Sequence, residues 1–329
     1  MLVNGKWVED WQPVQKSDEL GRFVRQVSEI RNWITPDGSA GPTGNAGFKA
    51  EAGRYRLYVA LICPWASRTL IARKLKGLDD LIPVTVVNPV LTNQGWAFDG
   101  FSGADTDPQF GAQYMHEIYT KADPTYTGRA TVPVLWDMKN NVMVNNESAD
   151  ILRMFDIAFE HLAPSDFRLY PDSLAFEINA LNARIYDKLN NGVYKAGFAS
   201  SQEAYDEAVT GVFDMLDELE TRLGGTYLFG DSLTETDIRT FVILIRFDAA
   251  YHGVFKTNRK QIADFPHLSA YMERILRLPG IAETVDMDHI THGYYSIKAL
   301  NPNGIRPIGP EHITKLMSSA NCERAVRTI

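Results

Sequence analysis

The spacing of apolar positions divides the chain into two kinds of segment. Tyr55-Arg56-Leu57-Tyr58-Val59-Ala60-Leu61-Ile62 begins with alternation and ends as a continuous apolar run, the pattern of a buried strand. Pro64 suits the first turn of a helix, where an N–H would have no intrahelical partner. Ala66 to Lys76 is rich in helix formers, and Gly77 is placed to end the helix. Leu81 to Val87 predicts a second strand, so strand, helix and strand form a parallel βαβ unit. Val132-Pro133-Val134-Leu135-Trp136-Asp137 and Val142-Met143-Val144 flank a Lys139-Asn140-Asn141 turn and predict an antiparallel hairpin. Ser148 reads as the N-cap of a helix running to about Glu160.

Beyond Pro164 the apolar spacing is helical throughout. Ile178, Leu181, Ile185 and Leu189 share one face, as do Tyr205, Val209, Val212, Leu216, Leu219 and Leu223. Thr234-Glu235-Thr236-Asp237 resembles a capping box, with Asp in place of Glu, ahead of an apolar helix through Ile245. A further helix spans about His267 to Arg277 and closes at Pro279-Gly280. The predicted fold class is therefore an α/β domain of thioredoxin type followed by an all-α domain. Residues 1–50 read as an N-terminal extension, 51–162 as the α/β domain with an insertion at 88–128, and 163–329 as the helical domain with a C-terminal tail. The insertion holds an aromatic-rich loop and a short helix around Gln113 to Lys121; insertions of that length are often functional. The turn-rich run from Asp37 to Gly47 is not a phosphate loop, because no Gly-Lys-Ser/Thr follows.

Composition narrows the partners. At 329 residues with 45% hydrophobic positions, the chain can bury a sizeable core. A net charge of -8 with scattered Lys and Arg gives no footprint for nucleic acid. No apolar stretch is long enough to span a bilayer, and the first residues lack the apolar core of a signal peptide. Two distant cysteines are not a disulfide framework, so the expected compartment is the reducing cytoplasm. His289 and His292 are spaced to share a helix face, but no nearby Cys/His cluster completes a metal site. Cys322, in a polar tail, reads as a bystander.

The candidate chemistry centres on Cys63, at the turn between the first strand and its helix. Free N–H groups and the positive end of the helix dipole face the thiol and favour thiolate. Ala66 stands where a dithiol site would have its second cysteine. A mixed disulfide at Cys63 therefore needs an external thiol, for which glutathione is the obvious candidate. Thr131-Val132-Pro133 offers a second element: a cis proline facing the active-site turn exposes the backbone of the residue before it to an extended peptide. Glu147-Ser148 opens a helix, where N–H groups and a hydroxyl can hold a carboxylate and Glu147 an ammonium group. Taken singly, these have plainer readings: an inert buried cysteine, a trans proline at a strand edge, and an N-cap with a solvated Glu. Their joint order and spacing are far more specific.

These residues resemble the glutathione transferase fold and, more narrowly, its xi class, the glutathionyl-hydroquinone reductases. The resemblance covers most of the chain. Its marks are Arg31-Asn32-Trp33, Gly41-Pro42-Thr43-Gly44, Cys63-Pro64-Trp65-Ala66, Asn88-Pro89 with Gly95-Trp96, the Thr131 to Asp137 strand, Asn146-Glu147-Ser148, the Asn190 to Phe198 run and Asn301-Pro302-Asn303-Gly304-Ile305. It implies Cys63 as nucleophile, with Trp96, Arg129, Val132, Glu147 and Ser148 holding glutathione, Val132 through its backbone. It further implies Tyr194 and Tyr294 as contacts to the aromatic substrate. Tyr295 adjoins Tyr294 and competes for that role. Glutathione is the implied cosubstrate, without a metal, and the implied assembly is a homodimer. Two other activities use the same features. An omega-like thiol transferase or dehydroascorbate reductase would share Cys63, and a non-catalytic binding protein would keep the fold alone.

Overall fold

The chain opens with a hairpin that the apolar pattern does not predict. Strands β1 (Leu2–Val3) and β2 (Lys6–Trp7) pair antiparallel across Asn4-Gly5, whose φ values are 48° and 73°. Asn-Gly is the dipeptide such a turn prefers, since both positions need positive φ. Gly5 has a second constraint: a Cβ there would lie 1.8 Å from the Pro124 carbonyl oxygen. The computed structural model describes residues 1–9, 17–165 and 167–327, with side chains described through 320. Cys322 thus lies outside the residues whose side chains are described.

Strand β3 (Tyr55–Val59) sits inside a four-stranded sheet, and Tyr55, Leu57, Tyr58 and Val59 are fully buried. Helix α1 (Pro64–Leu75) crosses to β4 (Val84–Val86), which runs parallel to β3. The insertion holds α2 (Met115–Ala122). Strands β5 (Val134–Asp137) and β6 (Val142–Asn145) form the expected hairpin, giving the order β4-β3-β5-β6 with β5 antiparallel to both neighbours. Helix α3 (Ser148–Ile157) follows, with one difference from the sequence reading: its N-cap is Glu147, not Ser148. The Glu147 backbone is extended and its carboxylate accepts from Ala149 N at 3.0 Å, which makes Ser148 the first helical residue.

Contacts gather the described chain into two units. The first is built from the β1–β2 hairpin, Gln26–Arg168 and Asp286–Ser296; the second from the segment ending at Arg25, Leu169–Val285 and the chain from Ile297 onward. The second unit carries α4 (Ala175–Ile185), α5 (Gly192–Gly197), α6 (Gln202–Arg222), α7 (Glu235–Arg246), the short α8 (His252–Val254) and α9 (Pro266–Leu276). Every residue of α7 is buried. Its capping box forms as the sequence predicts: Asp237 accepts from Thr234 N at 2.7 Å and Thr234 Oγ1 at 2.8 Å, and also from Leu228 N and Tyr271 Oη. Two π-helical turns, Tyr186–Asn190 and Phe247–Tyr251, lead into α5 and α8. Helix α10 (Met287–Tyr295) belongs to the first unit, and α11 (Glu311–Arg327) closes the described chain. No helix among the described residues is long and apolar enough to cross a membrane.

Candidate active site

Cys63 is the N-cap of α1, with extended backbone, Pro64 in the first turn and no acidic side chain there. Its carbonyl accepts from Ser67 N at 3.0 Å and Ser67 Oγ at 3.1 Å, which fixes the turn. The thiol donates to the Val132 carbonyl oxygen at 3.7 Å, and the Val132–Pro133 peptide is cis. The nucleophile candidate and the backbone edge expected to pair with a peptide are therefore side by side. Helix α1 also buries Arg68 beneath this turn, its guanidinium 4.4 Å from the centroid of the Trp65 ring.

Glu147 and Ser148 stand at the start of the neighbouring helix. Their position is tied to Val132 by a residue the sequence reading missed, Tyr119 of α2. The buried Tyr119 hydroxyl lies 3.1 Å from the Thr131 carbonyl and accepts from Thr131 N at 3.2 Å and Asn146 Nδ2 at 3.1 Å. One phenol thus holds the residue before Val132 and the residue before Glu147. Burial pushes its ionisation above the ordinary tyrosine range, so it acts as a neutral hydrogen-bonding group. Tyr119→Phe leaves these groups short of a partner in a buried place. The expected result is a loss of about 1–3 kcal/mol in urea unfolding, with weaker glutathione binding by calorimetry. A variant matching the parent in both measurements would refute the linkage.

Two motifs that marked the resemblance prove to be supports. Arg31 makes a bidentate pair with Asp150 in the first turn of α3, at 2.7 and 2.6 Å. Trp33 Nε1 donates to Thr43 Oγ1 at 2.9 Å, and Thr43 Oγ1 donates to the Arg31 carbonyl at 2.7 Å. Gly41 permits this packing, since a Cβ there would lie 2.3 Å from Trp33 Cβ. The Arg31-Asn32-Trp33 and Gly41-Pro42-Thr43-Gly44 segments therefore brace each other and the start of α3.

Trp96 lies in the first part of the insertion and Arg129 directly follows its last residue, both half-buried. The Trp96 carbonyl accepts from Met115 N at 2.8 Å, at the start of α2. Tyr294 and Tyr295 end α10, Tyr294 buried and Tyr295 half-buried, its phenol raised by burial. Next to them, Gly293 packs where a Cβ would lie 2.3 Å from Ile62 Cδ1 and 2.7 Å from the Pro89 carbonyl oxygen. This close approach seats α10 against the residue preceding Cys63. His289 and His292 share α10, both edge-on to Phe101 at 5.0 Å. Among the described residues no group of three or more His, Cys, Asp or Glu is placed to hold a metal ion.

Tyr194 lies on α5 in the second unit. Its ring stacks with Phe23 and Phe198, meets Tyr251 and Phe255 edge-on, and carries the Arg25 guanidinium 4.7 Å from its centroid. The two hydroxyls of Tyr194 and Tyr251 are 3.5 Å apart. Sequence spacing alone would assign Tyr251 to the apolar core; its place at the end of a π-helical turn is the feature that sets it apart.

Comparison with known proteins agrees with this geometry. The family model described as glutathione S-transferase, N-terminal domain, matches residues 62–157, and the corresponding C-terminal domain matches 202–274. The chain is 51% identical over 312 residues to glutathionyl-hydroquinone reductase YqjG of Escherichia coli, covering 94% of each. It is 45% identical to glutathionyl-hydroquinone reductase PcpF of Sphingobium chlorophenolicum, covering 94% of this chain and 96% of that one. The crystal structure of the glutathione S-transferase Xi from Phanerochaete chrysosporium superposes with a TM-score of 0.85 at 46% identity, covering 90% of this chain and 97% of the other. The chain belongs to the xi class of the glutathione transferase family.

Proposed function

We propose that this protein is a glutathionyl-hydroquinone reductase. The observation that carries the reading is the Cys63 thiol at the start of α1, 3.7 Å from the Val132 carbonyl, with Ala66 in place of a second cysteine. The relatives YqjG and PcpF, which bear that activity in their names, support it.

The substrate carries glutathione on a hydroquinone ring through a carbon–sulfur bond. Its peptide backbone pairs with the main chain of Val132. Glu147 meets the ammonium group of the γ-glutamyl end, and Ser148 at the positive end of α3 holds its carboxylate. Trp96 closes the site from the insertion and Arg129 from the residue that follows it. The Cys63 thiolate attacks the glutathione sulfur. The carbon–sulfur bond breaks, and its electron pair passes to the ring, which reaches the leaving state through its keto tautomer. Hydroxyls of Tyr194 and Tyr294 stabilise the charge that develops on the ring oxygen. Protonation completes the hydroquinone, and Cys63 is left as a mixed disulfide with glutathione. A second glutathione thiolate attacks that disulfide, releasing oxidised glutathione and restoring Cys63. The two half-reactions predict ping-pong kinetics. Glutathione is thus cosubstrate, and a reducing cytoplasm supplies it. A homodimer, as expected for the class, is checked by sedimentation velocity.

The decisive experiment measures hydroquinone release from glutathionyl-hydroquinones of different ring substitution, beside reduction of dehydroascorbate. The expected result is turnover of the hydroquinone conjugates with kcat/KM at least about 100-fold above that for dehydroascorbate, roughly 2.7 kcal/mol in transition-state stabilisation. The reverse order would establish the omega-like thiol transferase reading. No turnover of either, with retained glutathione binding, would establish the non-catalytic one.

A further inference from the structure

The β1–β2 hairpin reaches both ends of the insertion. At one end Trp7 Nε1 donates to the Asn93 carbonyl at 2.9 Å. The same indole lies against Gly95, where φ is 77° and a Cβ would approach Trp7 Cη2 to 3.1 Å. Its ring stacks on His116 of α2, centroids 4.5 Å apart, and His116 stacks on Tyr114 at 5.5 Å. His116 Nε2 in turn lies 3.2 Å from Gln94 Oε1, while Gln94 Nε2 donates to Glu9 at 3.1 Å. The turn Thr92 to Gly95 is therefore held from one side by Trp7 and from the other by α2, and Trp96 is the next residue. Burial keeps the His116 ring below the ordinary histidine range, so it stacks as a neutral imidazole.

At the other end, Leu2 N donates to the Gly128 carbonyl at 2.9 Å and Gly128 N donates to the Leu2 carbonyl at 3.0 Å. That reciprocal pair fixes the backbone immediately before Arg129. The Asn4-Gly5 turn docks between, with Asn4 N on Thr127 Oγ1 at 2.8 Å and Gly5 N on the Tyr126 carbonyl at 3.0 Å.

We propose that the Leu2–Trp7 hairpin is a built-in brace of the glutathione site, with Trp7 a positioning residue that sets where Trp96 stands. The inference rests on the reading above, in which Trp96 and Arg129 hold glutathione. Trp7 acts through the turn it touches, at Asn93 and Gly95. Removing it loosens the Trp96 turn and weakens glutathione binding, while the Cys63 turn, held by α1 and its own hydrogen bonds, keeps its geometry.

The test uses the full chain with Trp7→Leu and Trp7→Phe. Glutathione affinity is measured by calorimetry in a Cys63→Ala background. Alkylation of Cys63 by iodoacetamide, read at that residue by peptide mass, and kcat at saturating glutathione are measured with the thiol present. For Trp7→Leu the glutathione Kd is expected to rise about tenfold, roughly 1.4 kcal/mol. Trp7→Phe keeps a ring against His116 and Gly95 but loses the bond to Asn93, and its Kd is expected to rise about threefold. Alkylation rate and kcat are expected to stay within about twofold for both, because neither reports on the braced turn. An unchanged Kd in both variants would overturn the proposal. So would a loss of alkylation rate equal to the loss of affinity, which marks general unfolding. A parent protein that binds no glutathione overturns the functional reading itself, and calorimetry on that parent separates this failure from the other.

Discussion

Cys63→Ser is expected to lower glutathione-dependent hydroquinone release by at least about 10³-fold. The substitution keeps the size of the side chain and its place at the start of α1, so binding of the conjugate should survive. What is lost is the chemistry. A serine hydroxyl is not ionised at neutral pH by a helix terminus alone, and oxygen cannot take up the glutathione sulfur as an exchangeable disulfide. Two measurements separate these effects: hydroquinone release by chromatography, and calorimetric binding of the conjugate. Intact-protein mass spectrometry of the parent after a single turnover, without excess glutathione, should show one glutathione bound at Cys63. A serine variant turning over within about tenfold of the parent would sink the covalent scheme, because among the residues whose side chains are described Cys63 is the one cysteine.

The parts of this site that were legible in the sequence are those written in local order. Cys63-Pro64 follows an apolar strand and precedes a helix, and that order alone places a thiol at a helix N-terminus. Thr234-x-x-Asp237 announced a capping box, and it forms. What stayed hidden depends on partners distant in sequence. Tyr119 falls in the short helix around Gln113 to Lys121 with no local mark to single it out, yet its hydroxyl binds Thr131 and Asn146. Arg31 was a mark of the resemblance with no role assigned, and it pairs with Asp150, 119 positions away. The first hairpin did have a local signal in Asn4-Gly5, masked by strands only two residues long. Helix α10 showed only in the spacing of His289 and His292, for another reason: it is short and includes Gly293, a poor helix former retained where a Cβ would strike Ile62.

The second large effect lies away from the chemistry, at the far ends of the two helices that begin at the site. Lys76, the C-cap of α1, pairs with Asp156 near the end of α3 at 3.1 Å, and the two side chains are 2% and 1% exposed. Lys76 Nζ also donates to the Phe167 carbonyl at 2.8 Å and lies 5.0 Å from the centroid of the Phe167 ring. Asp156→Ala leaves a buried ammonium facing a cavity, and the expected loss of stability is about 3–5 kcal/mol in urea unfolding. The double variant Lys76→Met with Asp156→Leu removes both charges at similar volume and should recover most of that loss, since a buried ion pair is often no more stable than the apolar pair replacing it. A loss below about 1 kcal/mol for Asp156→Ala would show that the pair is solvated in practice. The consequence for function follows from the layout. α1 presents Cys63 at its first turn and α3 presents Glu147 and Ser148 at its own, so a clamp at their C-terminal ends fixes the angle between the proposed nucleophile and the proposed γ-glutamyl site. Asp156→Ala protein that remains folded at low temperature should therefore show a raised KM for glutathione, and the double variant a KM near that of the parent.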